Sequence, residues 1–129
     1  MSDIRRDELI STFRSSVITK NTNNTSELEL FQNEVLRPIL KFQQPVLIAL
    51  ANNETLLQKQ LKKTSSREDF TIVLQSYISK EATFRHVLIG SVIGLFTEIE
   101  LHFYLKEKKS CNKRILTMIS KRITDTASN

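Results

Sequence analysis

Glycine, proline, cysteine and tryptophan are scarce in this chain of 129 residues, which has two glycines, two prolines, one cysteine and no tryptophan. So few glycines leave little material for the tight turns of β-hairpins, and no stretch alternates convincingly between apolar and polar residues. A single cysteine excludes an internal disulfide and a cysteine-based metal knuckle. These absences favour an all-α protein.

Long hydrophobic runs are also missing. The longest uncharged apolar-rich run, Val87 to Thr97, has eleven residues, too few to span a bilayer. Residues 5–8 are all charged, so the N-terminus has no apolar signal core. Because 40% of the residues are hydrophobic, the chain can bury one core of its own. We expect a single soluble domain in the cytoplasm, with no membrane insertion.

The net charge of +5 lies at one end of the chain. Residues 1–105 contain 12 basic and 12 acidic residues, so the whole excess falls in residues 106–129. A basic C-terminal helix could contact nucleic acid, an acidic partner or an anionic lipid surface. The alternative is a solvated helix face that keeps the protein soluble. The residues expected to contact an anion or nucleic acid are Lys109, Lys113, Arg114, Lys121 and Arg122.

Apolar residues at helical spacing predict a compact orthogonal bundle of six to seven helices. A long helix at 27–51 is expected to be kinked by Pro38 and Pro45, since each proline removes a backbone hydrogen bond. Ser65 with Glu68 has the spacing of a capping box at the start of a later helix. The inward stripe predicted for the long helix comprises Leu28, Phe31, Val35, Ile39, Phe42, Val46 and Leu50.

A helix at 81–93 is apolar on nearly every side, which predicts a central position surrounded by other helices. Gly94 is expected to cap it in the left-handed conformation. Gly90 and Gly94, four residues apart, are the candidates for close packing of another helix, and Gly90 is the better of the two. Thr97 with Glu100 predicts a capping box for the next helix, and Ser110 is expected to cap the last one, at 111–124.

Composition and apolar spacing divide the chain into three predicted parts. Residues 1–26 are predicted to form an N-terminal helical arm and a polar linker, residues 27–125 the helical domain, and residues 126–129 a disordered tail. The linker, 20–26, contains no apolar residue, so the arm is expected to be loosely attached. The apolar side chains of the arm are Leu9, Phe13 and Val17.

One set of polar residues flanks the predicted apolar faces. An Arg–Glu pair across a helix packing would satisfy both charges and fix the register of the helices, so an ion-pair latch is the first interpretation. A polar ligand pocket is the alternative. The members of this candidate polar cluster are Asn33, Arg37, Arg85, Glu98 and Glu100.

Candidate metal ligands and nucleophiles are sparse. His86 and His102 are the only histidines, and Glu98 with His102 would still need a third or fourth ligand. Cys111 follows several lysines near a predicted helix N-terminus, which favours its thiolate, but no histidine lies near it in sequence. We therefore expect no metal, no cofactor and no catalytic residue.

Several short motifs resemble those of a set of short, uncharacterised bacterial proteins, chiefly flavobacterial, some of which are labelled "glyoxalase". The resemblance covers about residues 28–123 and implies an intracellular all-helical protein. Glyoxalases hold a metal with ligands from strands or with a His-rich cluster, and this sequence predicts neither. We therefore do not expect glyoxalase activity from this sequence. The motifs are 30–33 (LFQN), 36–39 (LRPI), 84–90 (FRHVLIG), 93–100 (IGLFTEIE) and 112–115 (NKRI).

Three functional hypotheses follow. The leading one is a protein-interaction or self-association module without a catalytic role, which uses the apolar arm and the surface at Gly90 and forms a homo-oligomer. The first alternative is nucleic-acid binding through the basic C-terminal helix. The second alternative is a small-ligand-binding or lyase-type enzyme with a pocket around Asn33, Arg37 and Arg85.

Overall fold

The structure is a computed structural model that describes residues 4–13 and 26–127. These residues form seven helices and no strand, which confirms the predicted all-α bundle. The helices are α1 (Ile4–Phe13), α2 (27–52), α3 (Thr55–Leu61), α4 (Arg67–Lys80), α5 (Ala82–Ile93), α6 (Glu98–Lys106) and α7 (Lys108–Ala127).

The core lies where α2, α4, α5 and α7 meet. Helix α7 packs against the other three, and α5 also packs against α2 and α4. Each of these helices contributes fully buried aliphatic side chains. Their burial stabilises the fold by about 25 cal/mol for each Å² of apolar surface removed from water. Examples are Leu40 from α2, Leu74 from α4, Leu88 from α5 and Ile115 from α7.

Helix α2 continues through Pro38 and Pro45, and its second turn, directly before Pro38, is a π turn, Gln32–Leu36. The Arg37 N–H donates to the carbonyl of Gln32, five residues earlier. In a regular α-helix the ring of Pro38 would clash with the carbonyl of residue 34. The wider turn directly before Pro38 relieves this clash, so the irregularity predicted at Pro38 takes the form of a π turn, while Pro45 lies inside the α-helical part.

The predicted inward stripe of α2 is wrong in its second half. Phe42 and Val46 are 48% and 44% exposed, while Leu47 and Ala51 are buried. The π turn contains one residue more than an α-turn, so the inward register moves one position along the chain. Leu47 and Ala51 therefore face the core in place of Phe42 and Val46, while Leu50 packs against the core partly buried.

Helix α5 contacts three other helices, but it is not enclosed by them. Thr83, His86, Val87 and Gly90 form an exposed face, so the predicted enclosure is wrong. A Cβ added at Gly90 would meet no described atom within 4 Å, so no helix of the described chain packs closely there. Gly94 ends the helix with φ −60°, in the right-handed and not the predicted left-handed conformation.

Side-chain caps start three of the helices: α2, whose cap is Ser26, α4 and α6. The predicted capping box of α6 is present: Glu100 Oε1 accepts from the Thr97 N–H at 2.8 Å, and Thr97 Oγ1 accepts from the Glu100 N–H at 3.4 Å. Helix α4 is capped one residue later than predicted. Its cap is Ser66, whose Oγ accepts from the Asp69 N–H at 3.1 Å, while the Ser65 hydroxyl donates to the Asp69 carboxylate.

Helix α1 is attached to the turn between α5 and α6. The Arg6 guanidinium donates to the carbonyls of Gly94 and Phe96 at 2.8 and 2.9 Å. The Asp7 carboxylate accepts from the Glu98 N–H at 3.2 Å, at the N-terminus of α6. These contacts contradict the loose attachment expected for this segment.

The remaining predictions for the N-terminal arm and the C-terminal tail have different outcomes. Leu9 is 51% exposed and the neighbouring Ile10 is buried. The side chain of Phe13, together with Val17 and most of the predicted linker, falls outside the described residues. Helix α7 continues to Ala127, so residues 126 and 127 are helical and not part of a disordered tail.

Tyr77 connects α4 to the start of α3. Its hydroxyl donates to Glu54 Oε1 at 2.7 Å, and its ring lies edge-on to Phe84 with centroids 5.7 Å apart. Burial raises the pKa of Tyr77 to about 12, helped by the hydrogen bond to Glu54 and its negative charge. Tyr77 is therefore a buried phenol that stays neutral well above its ordinary pKa.

The register shift in α2 predicts unequal effects of truncation. Leu40→Ala should lower the free energy of unfolding by about 2–5 kcal/mol because it leaves a cavity in the core. Val46→Ala should lower it by less than about 1 kcal/mol, since Val46 faces solvent. Urea denaturation measures both. Equal losses would show that the inward face of α2 is the one first predicted.

Tyr77 predicts a pH dependence of stability. Because its folded pKa exceeds its unfolded value, the unfolded chain releases the proton first, and stability falls as pH rises from 10 towards 12. In a Tyr104→Phe background Tyr77 is the only tyrosine, so phenolate absorbance reports on it alone.

The midpoint of that titration should lie near pH 12 in the folded protein and near 10 in urea. Adding Glu54→Gln should move the folded midpoint downwards, because it removes the negative carboxylate. A folded midpoint at 10 would refute the assignment.

Candidate functional site

The candidate polar cluster is not assembled. The Arg85 guanidinium donates to the carbonyls of Ile78 and Ser79 at 3.1 and 2.7 Å, at the C-terminal end of α4. Glu100 belongs to the capping box of α6. The predicted latch between arginine and glutamate is therefore wrong. Arg85 donates to backbone carbonyls at the end of α4, and Glu100 accepts from a backbone N–H at the start of α6.

The other members of that cluster lie apart. Glu98 is exposed at the start of α6, and Asn33 is half-buried in the π turn of α2. Arg37 is exposed on α2 and faces α7, where it joins the basic residues predicted for the C-terminal helix.

A groove of about 880 Å³ lies between α2 and α7. Four of the five predicted contact residues on α7 line it, and α2 contributes Arg37 from the opposite wall. The fifth, Lys109, is exposed but does not line the groove. We call this feature the basic groove; its cations are Arg37, Lys113, Arg114, Lys121 and Arg122.

Two of these cations are fixed by glutamines from α2. Arg114 Nη1 donates to Gln32 Oε1 at 2.6 Å, and Arg122 Nη1 donates to Gln44 Oε1 at 2.8 Å. Gln44 is itself oriented, because its Nε2 donates to the Thr126 hydroxyl at 3.2 Å. The two guanidiniums are thereby held in place before any ligand binds.

The other three cations have open donors. Within residues 4–13 and 26–127, Arg37, Lys113 and Lys121 make no hydrogen bond or ion pair through their side chains. All three are exposed. The basic groove therefore combines two hydrogen-bonded guanidiniums with three exposed cations that have open donors, on both walls.

The charge of the basic groove is unbalanced. Among its described lining residues Asp125 is the only carboxylate, and it forms an ion pair with Arg67 from α4. Burial lowers the pKa of the Arg122 guanidinium, and the neighbouring positive charge of Arg37 lowers it further. An anion placed between Arg37 and Arg122 would relieve this repulsion.

Helix geometry spreads these charges along the groove. Arg114 and Arg122 are eight residues apart, which corresponds to about 12 Å along α7. Gln32, near the start of α2, pairs with Arg114, and Gln44, further along α2, pairs with Arg122, which lies further along α7. The two helices therefore run in the same direction. The arrangement suits an extended anion with several charges.

Two further hollows adjoin the basic groove. One of about 810 Å³ shares Gln44 and Arg122 with it and adds Lys41. Another of about 550 Å³ shares Lys113 and contains Arg85. Arg37 and Arg85 therefore lie in different cavities, so the ligand pocket predicted around Asn33, Arg37 and Arg85 does not form.

Cys111 lies on the inner side of α7, in its first turn. The side chain is fully buried, and burial raises the pKa of the thiol, with the charge of Glu107 adding to the effect. The predicted preference for the thiolate is therefore wrong, because desolvation outweighs the nearby cations.

Metal ligands do not converge in the part of the chain that the structure describes. No three His, Cys, Asp or Glu side chains there are placed to hold one ion. His86 and His102 are both exposed, on α5 and α6. In the same described ranges, no helix is both long enough and apolar enough to cross a membrane.

No family model, curated protein or solved structure matches this chain. The resemblance to flavobacterial proteins therefore stays a prediction. The case for a function rests on the basic groove.

Cys111 yields a direct test of its burial. The native protein should react with an aromatic disulfide reagent at least about 100-fold more slowly than the urea-unfolded protein, because a buried thiol with a raised pKa is a poor nucleophile. Thiol release followed by absorbance gives both rates. Equal rates would contradict the buried position.

Proposed function

We propose that this protein binds nucleic acid through its phosphate backbone, and that the binding site is the basic groove. The observation that carries the proposal is the convergence of five cations from two helices on one groove with a single carboxylate among its described lining residues. Three of these cations have open donors.

The chemistry of these side chains suits phosphate. A guanidinium presents a planar fork of donors that matches two phosphate oxygens, and a lysine supplies a mobile positive charge. Arg114 and Arg122 are already oriented by glutamines, so less conformational entropy is lost when they bind an anion. Counterion release from the nucleic acid would then supply much of the affinity.

Self-association, the leading hypothesis from the sequence, stays a prediction. One of its two supports has changed: α1 is docked on the turn between α5 and α6 through Arg6 and Asp7. The other support, the exposed face of α5 around Gly90 and Val87, is open in the described structure. The basic groove offers more specific chemistry than this face.

The proposal predicts steep salt dependence. With five contacting cations, the logarithm of the affinity for a labelled single-stranded 20-mer should fall with the logarithm of salt concentration with a slope of about −3.5. Fluorescence anisotropy over a salt series measures this slope. Absence of binding at low salt would refute the proposal.

Lys113→Gln with Lys121→Gln removes two open cations without removing a hydrogen bond. This double variant should flatten the slope to about −2 and weaken binding roughly 10- to 30-fold at 0.1 M salt. Lys62→Gln with Lys63→Gln is the matched control, because it makes the same charge change at two exposed lysines outside the groove. If both double variants lose affinity equally, the basic groove is not the site.

A further inference from the structure

We infer that the basic groove recognises the phosphodiester chain alone and makes no energetically important contact with bases. The inference rests on the proposed function and specifies its ligand as a run of phosphates whose bases are not read. Three observations support it.

The first observation is the composition of the lining. None of the described lining residues of the basic groove is aromatic; the apolar members are Leu28 and Met118. Proteins that bind single strands through their bases stack them on aromatic side chains, at about 1–3 kcal/mol per base. A groove without aromatic rings lacks this source of affinity.

The second observation is that the glutamine amides of the basic groove already have hydrogen-bond partners. Glutamine amides are readers of adenine when both the oxygen and the nitrogen are free. Here the oxygens of Gln32 and Gln44 accept from Arg114 and Arg122, and the nitrogen of Gln44 donates to Thr126. These glutamines orient arginines and do not select a base.

The third observation is the placement of the open cations on both walls. Arg37 projects from α2, and Lys113 and Lys121 belong to α7, on the opposite side. Cations on two walls can contact both non-bridging oxygens of successive phosphates in a chain that runs along the groove. Asp125, paired with Arg67, places a carboxylate among these cations and disfavours an anion beside it.

Together these features predict that affinity depends on phosphate number and salt, not on sequence. The probe is a labelled 20-mer of deoxythymidine, and the comparison ligand is a 20-mer of the same length whose residues are all abasic. Both carry the same phosphodiester chain, so they differ only in the bases.

Fluorescence anisotropy with the full chain should give affinities for the two 20-mers that agree within about fivefold at 0.1 M salt. Their salt slopes should be equal, because each reports the same phosphate contacts. The Lys113→Gln with Lys121→Gln variant should weaken both ligands by the same factor, while the Lys62→Gln with Lys63→Gln control leaves both unchanged.

The outcomes separate the inference from the proposed function. If the thymidine 20-mer binds and the abasic one binds more than fivefold more weakly, bases contribute and the inference is wrong, although the groove still binds nucleic acid. A double variant that weakens only the thymidine ligand would overturn the inference as well. If neither ligand binds at low salt, the proposed function itself fails.

Discussion

Pro38 imposes the constraint on which the arrangement of this bundle depends. A proline inside an α-helix lacks one donor and collides with the carbonyl four residues earlier, at a cost of about 3 kcal/mol. Helix α2 avoids the collision with a π turn, Gln32–Leu36, and the extra residue of that turn changes which positions face the core in the second half of the helix. One consequence is that Leu47 and Ala51 are buried in the core, while Phe42 and Val46 are exposed. Another is the position of Arg37, directly after the turn, on the wall of the basic groove.

The basic groove illustrates how a helix bundle accommodates like charges. Arg114 and Arg122 lie close to the packing surface of α2 and α7, where an unpaired cation would be costly. Neutral glutamine oxygens satisfy their hydrogen bonds without cancelling their charge. A glutamate at either position would have formed an ion pair and removed the positive potential. The choice of an amide therefore preserves the capacity to attract an anion.

Helix content and the concentration of cations on the last helix followed from local patterns in the sequence. Apolar spacing and the Thr97–Glu100 capping box were sufficient to predict helices, because these signals act within one or two turns. The run of cations on the last helix was visible because 106–129 carries the whole net charge.

Long-range features were not accessible in the same way. The shift from Phe42 and Val46 to Leu47 and Ala51 depends on a π turn that apolar periodicity does not register. The roles of Gln32 and Gln44 depend on partners 82 and 78 residues away. Neutral amides carry no charge or motif signal, so nothing in the sequence marked them. Arg85 was predicted to pair with a carboxylate, but backbone carbonyls at the end of α4 were nearer.

The attachment of α1 bears on the order of folding. Arg6 and Gly94 are 88 residues apart in sequence, so their contact closes a long loop and gains little until other contacts already hold the chain together. The carbonyls that Arg6 binds are positioned only after α5 has ended and the chain has turned towards α6. We therefore expect the first helix to dock late, after the core formed by α2, α4, α5 and α7 has assembled.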